Sequence, residues 1–336
     1  MVVKLIDILK LAKLIYSKKA GMINMEVSVI ISSYSSKRYN DLKNILEALN
    51  NQTYQNREVI IVIDEDHMLL TKLDNFINEN NFTWVKLVFN HKNRGLSFSR
   101  NLGIAKSSGK VYSFIDDDAI PTEGWIESII SSFYDSSIGA VTGNVFPIWE
   151  DRSLVWFPLE LHWMISCSYI MTPTEITEVE RGFGVNMSFR KEVVDHVGLF
   201  NTHLGLNNGR WLGGEDTEMF QRTRRAGWKV LFNPAVTVLH KVDKSRLITR
   251  NLIMRAYSGG ASVAALKKLG ANSINQSTET QYLSRIVFES TPRLIRNLNS
   301  KNYLVVIHKL LIIWLVIAAE IVGYFYVLYI KGDNID

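Results

Sequence analysis

The sequence is poor in cysteine. Cys167 is the only one in 336 residues, which excludes a disulfide framework and any cysteine metal cluster and fits a reducing compartment. Runs of Lys or Arg are missing too, as are zinc-finger, zipper and other recognition motifs. The formal charge of +5 therefore gives no reason to expect a nucleic-acid partner. There is no internal repeat. Met1 to Gly21 lacks a continuous apolar core and a small-residue cleavage site, so no secretory signal is expected. Nor is the chain polar enough to be disordered: 47% of its residues are hydrophobic and 21% charged, a balance that suits one large α/β domain with appendages.

What is present first is alternation. Short apolar runs at Val27 to Ile31, Glu58 to Ile63, Trp84 to Phe89 and Val111 to Ile115 read as strands. They are separated by helical stretches at Tyr39 to Asn50, Leu69 to Asn80 and Ser97 to Ala105. Four parallel strands with crossover helices make a nucleotide-binding half-domain, with ligands expected at the carboxyl ends of the strands. The second half is less regular. Strands are predicted at Ala140 to Phe146, Phe183 to Phe189 and near Val230 and Val236, and helices at Thr217 to Ala226 and Ile248 to Leu269; the Asn/Ser/Thr-rich stretch Ala271 to Gln281 reads as a connector.

The fourth strand runs straight into Asp116-Asp117-Asp118. Adjacent carboxylates repel, and ionising all three at a strand end requires a cation there, most simply a divalent metal with a nucleotide diphosphate as co-ligand. A solvated acidic turn accounts for the triplet taken alone. About a hundred residues later, Gly213-Gly214 delivers Glu215-Asp216-Thr217-Glu218 to the start of a helix. First-turn acids are favoured there by the helix dipole. Beside a metal-diphosphate site, a carboxylate on such a loop has a second use, taking a proton from an acceptor hydroxyl.

Two segments point to a membrane. Leu310 to Ile330 carries Glu320 as its only formal charge and at 1.5 Å per residue is long enough to cross a hydrocarbon core of about 30 Å. The Lys and Arg residues before it predict that everything preceding Leu310 is cytoplasmic. Val2 to Lys19 reads as a basic amphipathic helix on a membrane surface, or as an ordinary helix packed on the protein body.

The chain also resembles a family. Val27-Ser-Val-Ile-Ile-Ser-Ser-Tyr34, Gln52-Thr53-Tyr54, Glu58 to Asp64, Arg94-Gly95-Leu96-Ser97 with Arg100-Asn101 and Gly103, Phe114 to Asp118, Gly184 to Arg190, Gly214-Glu215-Asp216 and Val238-Leu239-His240 follow one another as in the GT-A-fold inverting glycosyltransferases of family 2. The likeness spans Val27 to Val242, and the order and spacing of the motifs together are specific. It implies a Rossmann-like mixed sheet that binds a nucleotide-diphosphate sugar and Mn2+ or Mg2+. By resemblance, Ser33, Tyr34 and Asp64 hold the base, and Arg94 and Arg100 close over the nucleotide. Asp116 to Asp118 hold ribose and metal, with Asp118 the direct ligand and His240 completing the metal shell. Asp216 is the general base with Glu215 beside it, and Asn186 and Arg190 shape the donor and acceptor pocket.

Three departures matter. Ser32-Ser33 stands where Pro-Thr is common, Ile63 precedes Asp64 where relatives have a second Asp, and Arg225 replaces the Trp of the processive Gln-x-x-Arg-Trp motif. Without that aromatic platform the chain is not expected to build and export a polymer. The expected organisation is a surface helix at 1–24, a catalytic domain at 25–245, a helical extension at 246–302 and a membrane-inserted helix at 303–330. The expected acceptor is a lipid-linked sugar, dolichyl or polyprenyl, with the archaeal glucuronosyl type the nearest likeness and a donor linked to UDP. The alternatives are extension of a cell-surface polysaccharide on a polyprenyl carrier, an inactive sugar-nucleotide-binding scaffold, and a nucleotidyltransferase. The last would need a glycine-rich phosphate loop that the region Val27 to Tyr34 lacks.

Overall fold

Period-two burial builds the sheet. In β1 (Val27–Ser33) and β2 (Arg57–Asp64), Val27, Val29, Ile31, Val59, Ile61 and Ile63 enter one core, while Ile30, Ile60 and Val62 enter the core on the opposite face. Strands buried on both faces are continuous apolar runs, as parallel strands between helical layers must be. The computed structural model describes residues 25–207, 210–268, 276–298 and 303–330; the amphipathic segment Val2 to Lys19 lies outside them.

The helix α1 (Tyr39–Asn50) places Leu42, Ile45, Leu46 and Leu49 on one buried face, the 3-and-4 spacing that makes a stripe. Next, α2 (His67–Glu79) starts at Asp66, whose carboxylate accepts from the Leu69 N–H. It leads to β3 (Val85–Asn90), α3 (Leu96–Lys106) and β4 (Val111–Ile115). The remaining elements are β5 (Ala119–Pro121), α4 (Trp125–Ser132), β6 (Ile138–Thr142), β7 (Val145–Trp149), β8 (Thr177–Glu178), β9 (Asn186–Arg190), α5 (Lys191–Val197), the hairpin β10 (Gly205–Asn207) and β11 (Arg210–Leu212), α6 (Glu215–Arg225), β12 (Lys229–Phe232) and β13 (Val238–Val242). After them come α7 (Thr249–Lys268), α8 (Gln276–Arg285), α9 (Thr291–Arg296) and α10 (Tyr303–Phe325).

The main sheet runs β3-β2-β1-β4-β9-β6-β12-β8. Its first four strands are parallel, and β9 is antiparallel to both β4 and β6. A smaller sheet, β5-β13-β7, packs at the carboxyl end of β4. The single strand expected over Ala140 to Phe146 is two: the chain leaves the main sheet at Gly143-Asn144, where Asn144 donates to the Pro234 carbonyl and the Val145 N–H is taken by Ser168 Oγ. The strand expected from Phe183 starts at Asn186, Phe183 making one isolated bridge. The expected connector contains the start of α8; residues 271–275 lie outside the described set.

Against this body, α10 packs lengthwise on α7. A Cβ at Gly260 would lie 1.9 Å from the Glu320 carbonyl, and one at Gly323 would lie 1.9 Å from that of Tyr257. Reciprocal glycines let two backbones touch in this way. Near its start, α10 stacks His308 on Trp156 with ring centroids 4.3 Å apart.

Candidate active site

The three acids leave β4 together but face different neighbours. Asp117 turns inward, accepting from Ser33 Oγ–H at 2.5 Å and lying 3.6 Å from Arg38 Nε. Asp118 Oδ2 accepts from Arg38 and Arg246, both at 3.0 Å, and its Oδ1 is 3.1 Å from His240 Nε2. Asp116 is more open, with Oδ1 3.4 Å from Arg100 Nη2. Burial and the charge of Asp118 push the Asp117 carboxyl up to about 7. Burial would raise Asp118 as well, but His240, Arg246 and Arg38 outweigh it and bring that carboxyl down to about 2.

Pairing of β13 with β5 brings His240 opposite Ala119, and the Lys241 N–H donates to the Asp118 carbonyl at 2.9 Å. Register therefore sets the imidazole beside Asp118. His240 Nδ1–H donates to the Ile165 carbonyl at 3.0 Å, which turns Nε2 toward Asp118 Oδ1 at 3.1 Å and Arg246 Nη1 at 3.4 Å. Ligand atoms of Asp116, Asp118 and His240 all lie within 4.8 Å of one another, so these three side chains would hold an ion. Two carboxylates and one imidazole are hard and borderline donors, a set that fits a divalent ion.

Arg100 ties this site to the second acidic motif. From α3 it reaches Glu215 Oε1 at 2.8 Å, Asp116 at 3.4 Å and the Gly184 carbonyl at 3.2 Å. Gly214, with φ of 98°, is the turn that starts α6 and aims Glu215 inward. Burial, then the neighbouring Asp216, raise the Glu215 carboxyl above its ordinary range against the pull of Arg100. Asp216 stays at the surface of a cleft of about 570 Å³, and its Oδ1 accepts from the Thr217 N–H at 2.6 Å. Glu215 is thus a buried anchor and Asp216 the carboxylate that faces open space.

The other expected residues divide. Tyr34 is exposed at the end of β1, and Ser33 is bound to Asp117. Asp64 is buried, with its oxygens accepting from Asn90 Nδ2 at 2.6 Å and Ser99 Oγ at 2.7 Å; it ties β2 to β3 and α3. Arg94 is exposed, its guanidinium over the Phe98 ring at 4.7 Å. Asn186 and Arg190, expected in the sugar pocket, are structural instead. Asn186 is fully buried, donating to the Asn144 and Val236 carbonyls and accepting from Trp125 Nε1–H. Arg190 pairs in register with Val111, at the far end of β4 from the acids, and donates to the Phe133, Asp135 and Ile138 carbonyls. Sequence reading missed Arg38 and Arg246, which belong to no motif; the one signal was their place just after β1 and β13, at the strand ends where ligands gather.

A mixed sheet with acids at the end of its fourth strand, a metal-ligand triad and a carboxylate-lined cleft defines a GT-A-type glycosyltransferase. The model of glycosyl transferase family 2 matches residues 28–198, and the chain belongs to that family. It is 28% identical over 305 residues to a glucosyl-dolichyl phosphate glucuronosyltransferase of Haloferax volcanii, covering 90% of this chain and 96% of the relative. It is 25% identical over 215 residues to the glycosyltransferase AglE of the same organism, covering 64% and 66%. Among solved structures, a mannosyltransferase of Pyrobaculum calidifontis in complex with GDP-Man and Mn2+ superposes with a TM-score of 0.60 at 15% identity, covering 91% and 88%. GalNAc-T7 with UDP, GalNAc and Mn2+ gives 0.52 at 18%, covering 72% and 51%. These two likenesses speak for the fold.

Proposed function

We propose that this protein is an inverting, metal-dependent glycosyltransferase that moves one sugar from a nucleotide-diphosphate sugar, UDP-linked, to a lipid-phosphate-linked sugar on the cytoplasmic face of a membrane, in protein N-glycosylation. The observation that carries the reading is Arg100, which holds Asp116 of the acidic triplet and Glu215 of the Glu215-Asp216 turn on either side of one guanidinium. Asp116, Asp118 and His240 would hold the ion, which when bound neutralises the departing diphosphate. Asp216 takes the proton from an acceptor hydroxyl as that oxygen attacks the anomeric carbon. The bond from that carbon to the diphosphate oxygen breaks, and the nucleoside diphosphate leaves with the electron pair, inverting the centre in one displacement.

The relative from Haloferax, matched over nearly its whole length, supports glucuronate as the sugar and a glucosyl-dolichyl phosphate as the acceptor. Membrane attachment is supported by Tyr303–Tyr329, which is long and apolar enough to cross a bilayer and has 28% of its most apolar window buried. The exposed Leu283, Val287, Phe288, Ile295 and Leu298 add apolar surface on α8, on α9 and in the segments that follow each. The test is transfer of label from a panel of nucleotide sugars into organic-extractable lipid, with and without EDTA. Metal-dependent label from a UDP-sugar is expected; label that EDTA leaves untouched would overturn the metal, and label from another nucleotide alone would overturn UDP.

A further inference from the structure

The two sides of α10 meet different surroundings. Val306, Ile312, Ile313, Val316, Ile317 and Gly323 form its buried side. Ile312, Ile313, Val316 and Ile317 join the main core together with Leu252 and Ala256 of α7. Val327, in the turn that continues α10, packs with Ala261, Ala264 and Ala265. The opposite side, Leu304, Leu311, Trp314, Val322, Phe325 and Tyr329, is 42–73% exposed, an apolar stripe at helical spacing along the whole element. The neighbouring α7 carries Arg250, Arg255 and Lys267, and Arg255 donates to the Met164 carbonyl at 2.9 Å. Glu320, just past the middle of the apolar run, lines the cleft with Asp216, Arg181 and Glu279. If α10 crossed a bilayer, these groups would lie near its centre, where ionisable side chains and loop backbone are strongly disfavoured.

We propose that α10 lies along the bilayer surface rather than across it, with its outer stripe sunk among lipid headgroups and the first acyl carbons and both its ends on the side of the Asp216 cleft. The proposal rests on the membrane attachment read above and adds its geometry. An apolar stripe on one side, with the body of the protein on the other, fits an element that lies in the surface. The stripe's own aromatics suit that occupant. Trp314 and Tyr329 have rings with polar tips, which settle at the boundary between headgroups and hydrocarbon. Cations stand beside it: Arg293 and Arg296 are exposed on α9, directly before α10, and Lys267 Nζ lies 3.1 Å from the Tyr324 hydroxyl, an arrangement that favours anionic headgroups. A flat α10 holds the cleft at headgroup height, so a lipid-linked acceptor presents its sugar to Asp216 without leaving the membrane.

The test measures depth along the helix. Full chains carrying Leu304→Cys, Leu315→Cys, Val322→Cys or Tyr329→Cys, all exposed positions, are spin-labelled and reconstituted into vesicles of phosphatidylcholine and phosphatidylglycerol. Collision of each nitroxide with oxygen is then compared with its collision with a water-soluble nickel chelate; the parent chain, whose Cys167 is buried, sets the background. All four labels are expected at one shallow depth, about 5–10 Å into the boundary of headgroups and acyl chains. A profile with Leu315→Cys deepest, at about 15 Å, and both ends shallow would show a crossing helix and overturn the proposal while leaving the transferase reading intact. Labels shielded from both reagents would mean that a second copy of the chain covers the stripe, and labels open to the chelate at every site would mean that the stripe stays in water; either result overturns it. One shallow depth in a protein that transfers no sugar would sustain the flat helix and overturn the transferase reading instead.

Discussion

Arg100 holds Glu215 as an ion pair away from water, with side chains 4% and 10% exposed. Removing one member of a buried pair strands the other, at a cost of about 3–5 kcal/mol. Arg100→Met is therefore expected to destabilise strongly, and adding Glu215→Gln should recover most of the loss; thermal unfolding of both variants checks it, and a double variant no better than the single one would contradict the pairing. Asp117 gives a pH signature. Its carboxyl in the folded protein stands at about 7, above the unfolded value of about 3.9. The ionised form therefore costs stability on the order of 2–4 kcal/mol above pH 7, and the cost vanishes as pH falls toward 4. Metal-free Asp117→Asn should accordingly unfold at higher temperature than the parent at pH 8 and at nearly the same temperature at pH 4. At this scale, that the acids, Arg100 and His240 gather in one place was legible because each stands in a spaced motif. Arg38 and Arg246 were not, since an arginine on a loop carries no mark until the fold brings it to Asp118. Arg190 misled because its motif neighbours are at one end of β9 and it is at the other.

Among the elements, the first four strands and three helices were legible to within about two residues, because burial on both faces makes apolar runs and one-sided burial makes stripes. The split of Ala140 to Phe146 was hidden: apolar residues on both sides of Gly143-Asn144 read as one run, and only the Ser168 and Pro234 contacts show the change of sheet. Nor does periodicity reveal that α10 lies along α7, which depends on two glycines 63 positions apart meeting opposite backbones. Gly260→Val is expected to push the helices apart and cost about 1–3 kcal/mol, lowering the unfolding temperature and the acceptor affinity while leaving UDP affinity in place. Unchanged acceptor affinity would separate α10 from the cleft.

The described residues form a GT-A fold with an apolar flank, and the two are joined by the cleft at Asp216. Phe288, 75% exposed on the flank, is expected to meet lipid, so Phe288→Glu should move a measurable share of the protein from the membrane pellet to the supernatant without altering UDP binding. Every part of the account converges on one proton transfer at Asp216. The most direct measurement compares label entering extractable lipid from the active nucleotide sugar, at saturating metal, for the parent chain and Asp216→Asn. The account predicts a loss of about 10²–10⁴-fold with nucleotide affinity retained. Transfer by Asp216→Asn at the parent's rate would contradict it.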